Sequence, residues 1–313
     1  MKLLLIGAGG VGVYFCGRAA SGGAEVEVVA HSGFEAVKSH GYFVQSIAGD
    51  FNFRPSRVIS AVAECTSDID AIVLATKVLP EIDRVKLLEI PAGLPSHPPI
   101  VLMQNGIGIE EDIAAAFPEN EIISVISYVG ISRLSPDQIV HRGAGKLLLG
   151  KYDSRDTVTA DRIAGCFRAG GIECTVTDDI ALERWRKLLW NLPFNPVSVL
   201  AGGVNTAQMC DRAELEALCE TLMQEVAATA NAAGVHITGA MIREQIEYTR
   251  KFPAYKTSML QDFASRRPME VDAILGNAVK IAAKYGVDVP AMRCCAALLK
   301  SVDKMNRNGQ LVK

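Results

Sequence analysis

The amino terminus carries the pattern that most restricts how this chain can fold. A continuous apolar run from Lys2 to Ile6 leads directly into glycines, and a helical pattern begins at Val11. Strand, tight turn and helix in that order are the context in which such a glycine triplet indicates a dinucleotide-binding fold. Gly7 permits the turn, Gly9 lets the backbone approach a pyrophosphate bound at the helix start, and Gly12 lets the helix lie close to the strand. The predicted cofactor contacts of this turn are Gly7, Ala8, Gly9, Gly10, Val11 and Gly12.

The end of the second predicted strand, residues 25–30, indicates which dinucleotide binds. A site for NAD usually carries Asp or Glu at this tip, where the carboxylate holds the ribose 2′-hydroxyl. Here the tip reads Ala30-His31-Ser32-Gly33, without a carboxylate. A carboxylate would repel a 2′-phosphate, whereas an imidazole and a hydroxyl can hydrogen-bond to it. The tip therefore favours NADP(H) with His31 as a contact, although His31 could equally be an ordinary exposed loop residue.

Charge and composition exclude several classes of protein. The 313 residues are 49% hydrophobic with a formal net charge of −3, so the chain can bury one or two cores but has no basic surface for nucleic acid or anionic lipid. The apolar amino terminus is too short to span a bilayer and lacks a signal-peptide cleavage site. The eight cysteines include no CxxC pair and have no histidine at metal spacing, which argues against a metal site. We expect a cytoplasmic protein with reduced thiols and without membrane or nucleic-acid partners.

The order of the elements predicts an α/β fold, in which an N-terminal Rossmann-type doubly wound sheet is followed by an all-helical C-terminal domain. The predicted strands after the first two are 42–47, 51–59, 70–76, 100–104, 122–131, 146–149 and 172–176. Strands that alternate with helical segments imply right-handed βαβ units and a mostly parallel sheet. From about residue 179 strand patterns vanish, and the predicted helices are 180–200, 211–234, 238–250, 257–266, 269–285 and 290–307. We therefore expect an NADP-binding domain over 1–178 and a helical substrate domain over 179–313.

Two polar residues lie at the carboxyl ends of predicted central strands. Lys77 follows the strand that ends at Thr76, and Asn105 follows the strand that ends at Gln104. In an open parallel sheet, ligands bind beyond these strand ends. Each residue alone could be a plain loop residue. Taken with the glycines they predict one crevice, in which Lys77 holds a cofactor phosphate or ribose and Asn105 lies near the nicotinamide or the substrate.

A polar side chain recurs every fourth residue in the apolar segment 183–196. On a helix this spacing places Lys187, Asn191 and Asn195 on one face. An ammonium and two amides are costly to bury without partners, so we expect a polar ligand against that face. Two alternatives remain open. The face could be a solvated stripe on an amphipathic helix, or Lys187 could be a surface residue paired with Glu183 one turn earlier.

Several motifs occur in the order and spacing of one enzyme family. They are Gly7-Ala8-Gly9-Gly10-Val11-Gly12, Thr76-Lys77, Gln104-Asn105-Gly106, Trp185-Arg186-Lys187 with Asn191 and Asn195-Pro196, Asn205, Ser258-Met259-Leu260-Gln261-Asp262 and Glu270-Val271-Asp272. Along essentially its whole length the chain resembles ketopantoate reductase (2-dehydropantoate 2-reductase). The resemblance implies a Rossmann domain joined to a helical domain. It also implies NADPH-dependent reduction of 2-dehydropantoate to (R)-pantoate in coenzyme A biosynthesis.

The resemblance further implies roles for individual residues. Lys187 and Glu270 are the implied catalytic residues, with Lys187 as the proton donor. The implied substrate contacts are Asn105, Asn191, Asn195, Asn205 and Ser258. The implied cofactor contacts outside the glycine turn are His31, Lys77, Asn105, Ile131 and Glu270. A Lys ammonium suits its role, because it supplies a proton and stabilises the negative charge that grows on the keto oxygen, and partial burial would lower its pKa.

Simpler interpretations of two of these residues stay open. Ser258 could be only a helix-start hydroxyl. Glu270 could be only a first-turn carboxylate of a helix that begins at Pro268. Their order and spacing in the family pattern favour the functional interpretation.

Three features depart from the family pattern. The family commonly has Arg near the position of His31, so the preference for NADP(H) could be weaker here. Pro193 and Pro196 remove N–H donors and are expected to kink the helix, so its polar residues need not share a straight face. The segment 251–256 adds bulk and charge near the expected substrate mouth, which could admit a different 2-keto acid.

Three functions are compatible with these observations. The first is an NADPH-dependent ketopantoate reductase, and the second is a reductase of the same fold for another branched or hydroxylated 2-oxo acid. The third is a non-enzymatic NADP-binding regulator, which the retention of Lys187, Ser258 and Glu270 disfavours. A small 2-keto acid is the expected partner in solution. The apolar helices of the second half could also support a homodimer.

Overall fold

The computed structural model describes residues 1–251 and 253–310 of the chain. These residues form two compact units. The first unit contains Met1–Lys77, Ile82–Asn105 and Ile109–Ile180. The second contains Val78–Glu81, Gly106–Gly108 and the described residues from Ala181 onward. Two short segments from the amino-terminal half therefore belong to the carboxyl-terminal unit, which the sequence pattern did not indicate.

Among the described residues, ten strands form one mixed sheet, and it belongs to the first unit. They are β1 (Lys2–Ile6), β2 (Glu25–Val29), β3 (Tyr42–Ser46), β4 (Phe51–Phe53), β5 (Arg57–Ile59), β6 (Ala71–Leu74), β7 (Ile100–Leu102), β8 (Ile122–Ser135), β9 (Gln138–Lys151) and β10 (Glu173–Val176). The neighbours in the order β5-β2-β1-β6-β7-β8 all pair in parallel. The order reverses between β1 and β6, as it does in dinucleotide-binding folds. This parallel core confirms the predicted Rossmann-type sheet.

Helices cover both faces of the parallel core. They are α1 (Gly10–Ser21), α2 (Phe34–His40), α3 (Arg84–Ala92), α4 (Glu111–Ala116) and α5 (Val158–Ala169). Because side chains alternate along a strand, Leu3 of β1 joins one apolar cluster and Leu4 joins another. The first cluster includes Phe167 of α5, and the second includes Leu88 of α3. Burial on both faces explains why the central strands are continuous apolar runs in the sequence.

Two predictions about the sheet are wrong. The predicted strand 51–59 is two strands separated by Pro55, which cannot donate to a ladder, and β4 and β5 pair with β3 and β2 respectively. The predicted strands 122–131 and 146–149 are too short, because β8 and β9 are each 14 residues long and form an antiparallel hairpin. Glycines at 130, 143 and 145 interrupt the apolar pattern there. β9 also pairs in parallel with β3 and β10.

The second unit is built from helices. They are α6 (Ile180–Leu200), α7 (Thr206–Cys210), α8 (Ala213–Ala232), α9 (Gly239–Lys251), α10 (Ser258–Ala264), α11 (Asn277–Lys284) and α12 (Pro290–Arg307), and a π-helical segment covers Asp272–Gly276. Their apolar faces share one core that includes Leu189, Leu222, Leu275 and Leu299. The helical carboxyl-terminal unit confirms the predicted architecture. The short helix α7 was not predicted.

α6 continues through Pro193 and Pro196 as one helix. Two side chains donate hydrogen bonds to backbone carbonyls beside the prolines: Asn195 Nδ2 to Asn191 O at 2.9 Å, and Ser198 Oγ to Asn195 O at 2.7 Å. The prolines do not end the helix, and Lys187, Asn191 and Asn195 follow one another along it.

Candidate active site

The glycine turn of the first unit leaves no room for side chains at two of its four glycines, Gly7 and Gly12. Gly7 has a φ of +103°, and a Cβ there would come within 2.4 Å of Thr76 N. A Cβ on Gly12 would come within 2.7 Å of Gly7 O, so this glycine allows the close approach of α1 to β1. A Cβ on Gly9, in contrast, would meet nothing within 4 Å. Packing inside the protein therefore accounts for Gly7 and Gly12. The glycine at position 9 instead leaves open space that a ligand could fill.

The start of α1 fits a pyrophosphate. Gly9 is the N-cap residue, and as a glycine it has no side chain that could cap this helix. An uncapped helix start presents N–H groups and the positive end of the helix dipole to an anion. Ile131 of β8 lies over the same turn, where its Cγ2 would be 3.3 Å from a Cβ on Gly10. The turn and Ile131 thus form a cradle into which the phosphates of a dinucleotide fit.

His31 lies at the tip of β2 and is exposed, as is Ser32. Within the described residues, His31 makes no hydrogen bond or ion pair. Its position matches the predicted ribose end of the cofactor site, but nothing in the fold orients its imidazole. Whether it contacts the cofactor stays a prediction.

A buried amide ties together the carboxyl ends of β6 and β7. Gln104 Nε2 donates to Thr76 O at 2.7 Å and to Thr76 Oγ1 at 3.0 Å. Arg84 Nη1 donates to Gln104 Oε1 at 3.1 Å, and Arg84 Nη2 pairs with both carboxylate oxygens of Asp112. Gln104 thus holds in place the two strand ends that lead to Lys77 and Asn105. The sequence did not indicate the supporting role of Arg84.

Lys187 in the second unit is half-buried on α6. Its pKa is lowered to about 7, chiefly because burial disfavours the ammonium and secondly because of the Arg184 guanidinium one turn earlier. The Glu270 carboxylate acts in the opposite direction and raises the pKa. Glu183 pairs instead with Arg186, at 3.0 Å, so the structure does not support the surface pair of Glu183 with Lys187. An amine with a pKa near 7 can both donate and accept a proton at neutral pH.

Arg184 and Glu270 also hold the two short segments that the second unit takes from the amino-terminal half. Arg184 Nη1 donates to Gly106 O at 3.0 Å, and Ile107 N donates to Ala273 O at 3.0 Å. Val78 N donates to Glu270 Oε1 at 2.9 Å. The two residues that shift the pKa of Lys187 are therefore fixed by backbone groups that directly follow Lys77 and Asn105 in the chain.

Glu270 does not lie in a helical turn. The helix predicted over 269–285 is present from residue 271 to residue 284, and its part over Asp272–Gly276 is π-helical. The placement of Glu270 in its first turn is wrong. Glu270 O accepts a hydrogen bond from Ile274 N at 3.2 Å, so Glu270 lies just before the helical residues. Its carboxylate accepts a hydrogen bond from Val78 N. π-Helical segments are frequent at functional sites.

A buried amide connects α6 to the start of α10. Asn195 Oδ1 accepts hydrogen bonds from Met259 N at 3.2 Å and from Ser258 Oγ at 3.4 Å. Thr257 caps α10 by accepting from Leu260 N. The helix-start hydroxyl is therefore Thr257 rather than Ser258, which is exposed. Asn195 itself is buried and orients Ser258.

The chain matches two sequence models that together span most of its length. The model described as Ketopantoate reductase PanE/ApbA matches residues 3–154, and the model described as Ketopantoate reductase PanE/ApbA C terminal matches residues 179–303. The chain belongs to the ketopantoate reductase family. This family is one of nicotinamide dinucleotide-dependent oxidoreductases, so the cofactor class agrees with the glycine turn. No helix within the described residues is both long and apolar enough to cross a membrane.

Members of the ketopantoate reductase family are similar over the full chain. A 2-dehydropantoate 2-reductase from Nostoc sp. is 32% identical, covering 99% of this chain and 98% of the relative. The crystal structure of 2-dehydropantoate 2-reductase from Methylococcus capsulatus is 37% identical, with a TM-score of 0.91 and 98% of each chain covered. D-mandelate dehydrogenase, solved with NADH and anilino(oxo)acetate, shares the fold at 22% identity, a TM-score of 0.86 and coverage of 98% and 99%.

Two pairs of the predicted site residues come together in the structure. Of two others, Asn205 has a local structural partner, and His31 has none among the described residues. Lys187 and Glu270 are close enough for the carboxylate to raise the pKa of the amine, and Asn195 contacts Ser258. Asn205 caps α7 in a reciprocal arrangement with Gln208. His31 is solvent-exposed, and Phe252 of the predicted mouth segment lies outside the described residues. The roles of these residues as substrate or cofactor contacts stay predictions.

Asn195→Ala is expected to lower the free energy of unfolding by about 1–3 kcal/mol, because Met259 N loses its acceptor in a buried place. The predicted role of Ser258 as a substrate contact implies that KM for the substrate also rises, because Ser258 loses its partner. Asn306→Ala is the matched control, since Asn306 is also buried and donates to Phe263 O near the other end of α10, at 2.8 Å. Thermal unfolding and steady-state kinetics measure the two effects. An equal rise of KM in both variants would contradict the positioning role of Asn195.

Proposed function

We propose that this member of the ketopantoate reductase family catalyses the NADPH-dependent reduction of 2-dehydropantoate to (R)-pantoate, a step of pantothenate and coenzyme A biosynthesis. The observation that carries the proposal is Lys187, whose pKa is lowered to about 7 by burial and by Arg184 while Glu270 opposes the shift. A reductase of a keto group needs such an acid, and a dinucleotide-binding regulator does not. The named relatives at 32% and 37% identity support the choice of substrate.

In the proposed reaction, the reduced nicotinamide supplies a hydride to the keto carbon when the cofactor is bound. Negative charge then grows on the keto oxygen, and the Lys187 ammonium stabilises that charge and gives the oxygen a proton. The product is a 2-hydroxy acid, and the neutral amine of Lys187 takes up a proton from solvent before the next turnover. Glu270 favours the ammonium form, because its carboxylate raises the pKa of Lys187.

The substrate of the proposed reaction presents a carboxylate, a ketone and a hydroxyl. Amide and hydroxyl side chains suit such a ligand, because each amide both donates and accepts hydrogen bonds. We assign this role to Asn191 and Ser258, with Asn105 and Asn205 as further contacts. The buried Asn195 is assigned to hold Ser258 through its hydrogen bond at 3.4 Å.

NADPH is the proposed cofactor. The glycine turn and Ile131 form the cradle for the pyrophosphate, and Lys77 follows β6 at the end of the sheet where dinucleotides bind. The tip of β2 carries no carboxylate to repel a 2′-phosphate. Binding titrations with NADPH and NADH test this part of the proposal independently of any substrate.

A panel of 2-oxo acids tests the choice of substrate. NADPH oxidation at fixed enzyme concentration would be followed with 2-dehydropantoate, with its analogue lacking the 4-hydroxyl, and with phenylglyoxylate. We expect the highest kcat/KM for 2-dehydropantoate, because a site that hydrogen-bonds a substrate hydroxyl discriminates strongly against the analogue without it. A higher value for either analogue would contradict the substrate assignment.

The second candidate is the reduction of another 2-oxo acid. D-mandelate dehydrogenase has the same fold, so the fold alone does not choose the substrate. The segment before α10, which carries Lys251, Tyr255 and Lys256, adds bulk and charge near the expected substrate mouth. This departure from the family pattern is the observation that favours a different 2-oxo acid. In that case phenylglyoxylate would be the best substrate of the panel.

A further inference from the structure

A guanidinium lies at the tip of β2, although no arginine follows that strand in the sequence. Arg133 of β8 donates through Nη2 to Ser32 O at 3.3 Å and to Pro136 O at 2.7 Å. Its Nε donates to Ser135 O at 3.2 Å. All three acceptors are backbone carbonyls, which orient the guanidinium without neutralising its charge. The tip of β2 thus carries a positioned cation supplied by a distant strand.

The charge of Arg133 has no counterion among residues 1–251 and 253–310. Among the described residues, no carboxylate lies within ion-pair distance of this guanidinium. Asp137 of the hairpin turn accepts instead from Ser135 Oγ at 2.6 Å, and Glu35 of α2 is exposed. The three carbonyl bonds use Nε and Nη2, which leaves the two N–H groups of Nη1 for a ligand. An anion bound there would complete the site.

The loop at the tip of β2 is packed against the β8–β9 hairpin. Gly33 has a φ of +76°, and a Cβ there would come within 2.1 Å of Pro136 Cβ. Only glycine therefore fits at this contact. The close contact keeps the loop beside Arg133, so the guanidinium and the backbone of Ser32 form one surface.

β8 runs from the glycine turn to the tip of β2. Ile131 contacts the turn at Gly10, and Arg133 contacts Ser32 two residues further along the strand. Residues two apart on a strand point to the same face and lie about 7 Å from each other. In dinucleotide-binding folds the pyrophosphate lies at the glycine turn and the adenosine ribose lies at the tip of the second strand. The strand therefore follows the path of the cofactor from pyrophosphate to ribose.

We propose that Arg133, rather than His31, binds the 2′-phosphate of NADP(H) and sets the preference for this cofactor over NAD(H). An arginine fork is matched to phosphate oxygens, and hydrogen bonds between two charged groups are the strong ones. His31 is exposed and makes no bond that would orient it. The inference rests on the proposed use of NADPH and names the residue that determines it.

Equilibrium binding tests the inference without turnover. The wild-type protein and the variant Arg133→Gln would be titrated calorimetrically with 2′,5′-ADP and with 5′-AMP, which differ only in the 2′-phosphate. We expect Arg133→Gln to weaken 2′,5′-ADP binding by at least about tenfold, the usual scale for one charged hydrogen bond, and to leave 5′-AMP binding unchanged. Arg133→Lys should retain part of the difference, because it keeps the charge and loses the fork.

Arg142→Gln is the matched control. Arg142 belongs to the same hairpin and carries the same charge, but it donates to Ser132 Oγ at 3.1 Å and not to the loop after β2. Arg142→Gln should leave the preference for 2′,5′-ADP over 5′-AMP at the wild-type value. His31→Gln should also leave this preference unchanged.

Three outcomes would each overturn one of the two proposals. Equal affinities of the wild-type protein for the two nucleotides contradict the proposed use of NADPH itself. A wild-type preference that Arg133→Gln preserves contradicts the role of Arg133 alone. Equal loss of both nucleotides in Arg133→Gln would show that the residue only supports the loop, and this also contradicts the inference.

Discussion

Replacing Lys187 with alanine is expected to lower kcat for 2-oxo acid reduction by at least about 100-fold, the lower end of the usual scale for losing a general acid. The affinity for NADPH should stay close to the wild-type value, because Lys187 lies outside the glycine turn. Lys187→Arg should be similarly inactive, since a guanidinium keeps the charge but does not release a proton. Lys280→Ala, at an exposed position of α11, is the control and should be unaffected. Turnover by Lys187→Ala at the wild-type rate would remove the acid assignment.

The same residue determines the expected pH dependence. The pKa of Lys187 is lowered to about 7 by burial and by Arg184. Reduction needs the ammonium, which is present below that pKa, so kcat for reduction should fall as the pH rises through about 7. Oxidation of the 2-hydroxy acid needs the neutral amine and should show the opposite limb. Glu270→Gln removes the carboxylate that raises this pKa, so the alkaline limb should move to lower pH.

Thermal unfolding of a Lys187 variant checks whether a loss of activity comes from a loss of folding. The folded pKa of Lys187 lies below the ordinary value of 10.5. The unfolded chain therefore binds more protons between about pH 7 and 10.5, and the contribution of this group to stability rises with pH across that window. Lys187→Met removes the buried charge and keeps an unbranched side chain that is one atom shorter. It should therefore unfold at a temperature no lower than the wild type, with the largest gain at or below pH 7.

Alanine at two glycines of the same turn is expected to have opposite effects. Gly9→Ala should leave stability nearly unchanged, because a Cβ there meets nothing within 4 Å and the residue has an ordinary φ of −82°. It should weaken NADPH binding by about tenfold or more, because the methyl group occupies the space for the pyrophosphate. Fluorescence titration of NADPH measures this effect. Wild-type affinity in Gly9→Ala would contradict the pyrophosphate site.

Gly7→Ala should instead destabilise the first unit by about 2–6 kcal/mol, from backbone strain together with overpacking. Its φ of +103° is unfavourable for alanine, and the Cβ would lie 2.4 Å from Thr76 N, a backbone atom that cannot move aside cheaply. Thermal unfolding without cofactor measures the loss. A stable Gly7→Ala protein would show that the turn is looser than its geometry indicates.

The parallel core could be predicted from the sequence because its strands are buried on both faces. Ile100–Leu102 and Ala71–Leu74 are fully buried, so their apolar runs carry a strong signal. The long hairpin could not be predicted in full. The second half of β8 is only half-buried and contains Gly130, so the alternation that marks a strand is weak there. The strand continues to Ser135 because it pairs with β9, and this pairing is not encoded in the local pattern of β8.

The family motifs indicated Lys187 and Glu270, which the structure brings together, and their catalytic roles stay predictions. Arg184 was missed because the sequence does not distinguish a buried arginine from an exposed charged residue on a helix. Its importance comes from its bond to Gly106 O, a residue 78 positions away. Arg133 was missed for the same reason, since its contact with Ser32 spans 101 positions.

Composition and local pattern alone determined that this chain has a parallel dinucleotide-binding sheet followed by helices. Hydrophobic periodicity and turn chemistry are short-range properties, and both can be read within a few residues. Only the tertiary structure decided which charges act on Lys187 and which cation lies at the tip of β2. A pKa and an ion site depend on burial and on groups far apart in the chain, and these are set when the chain packs.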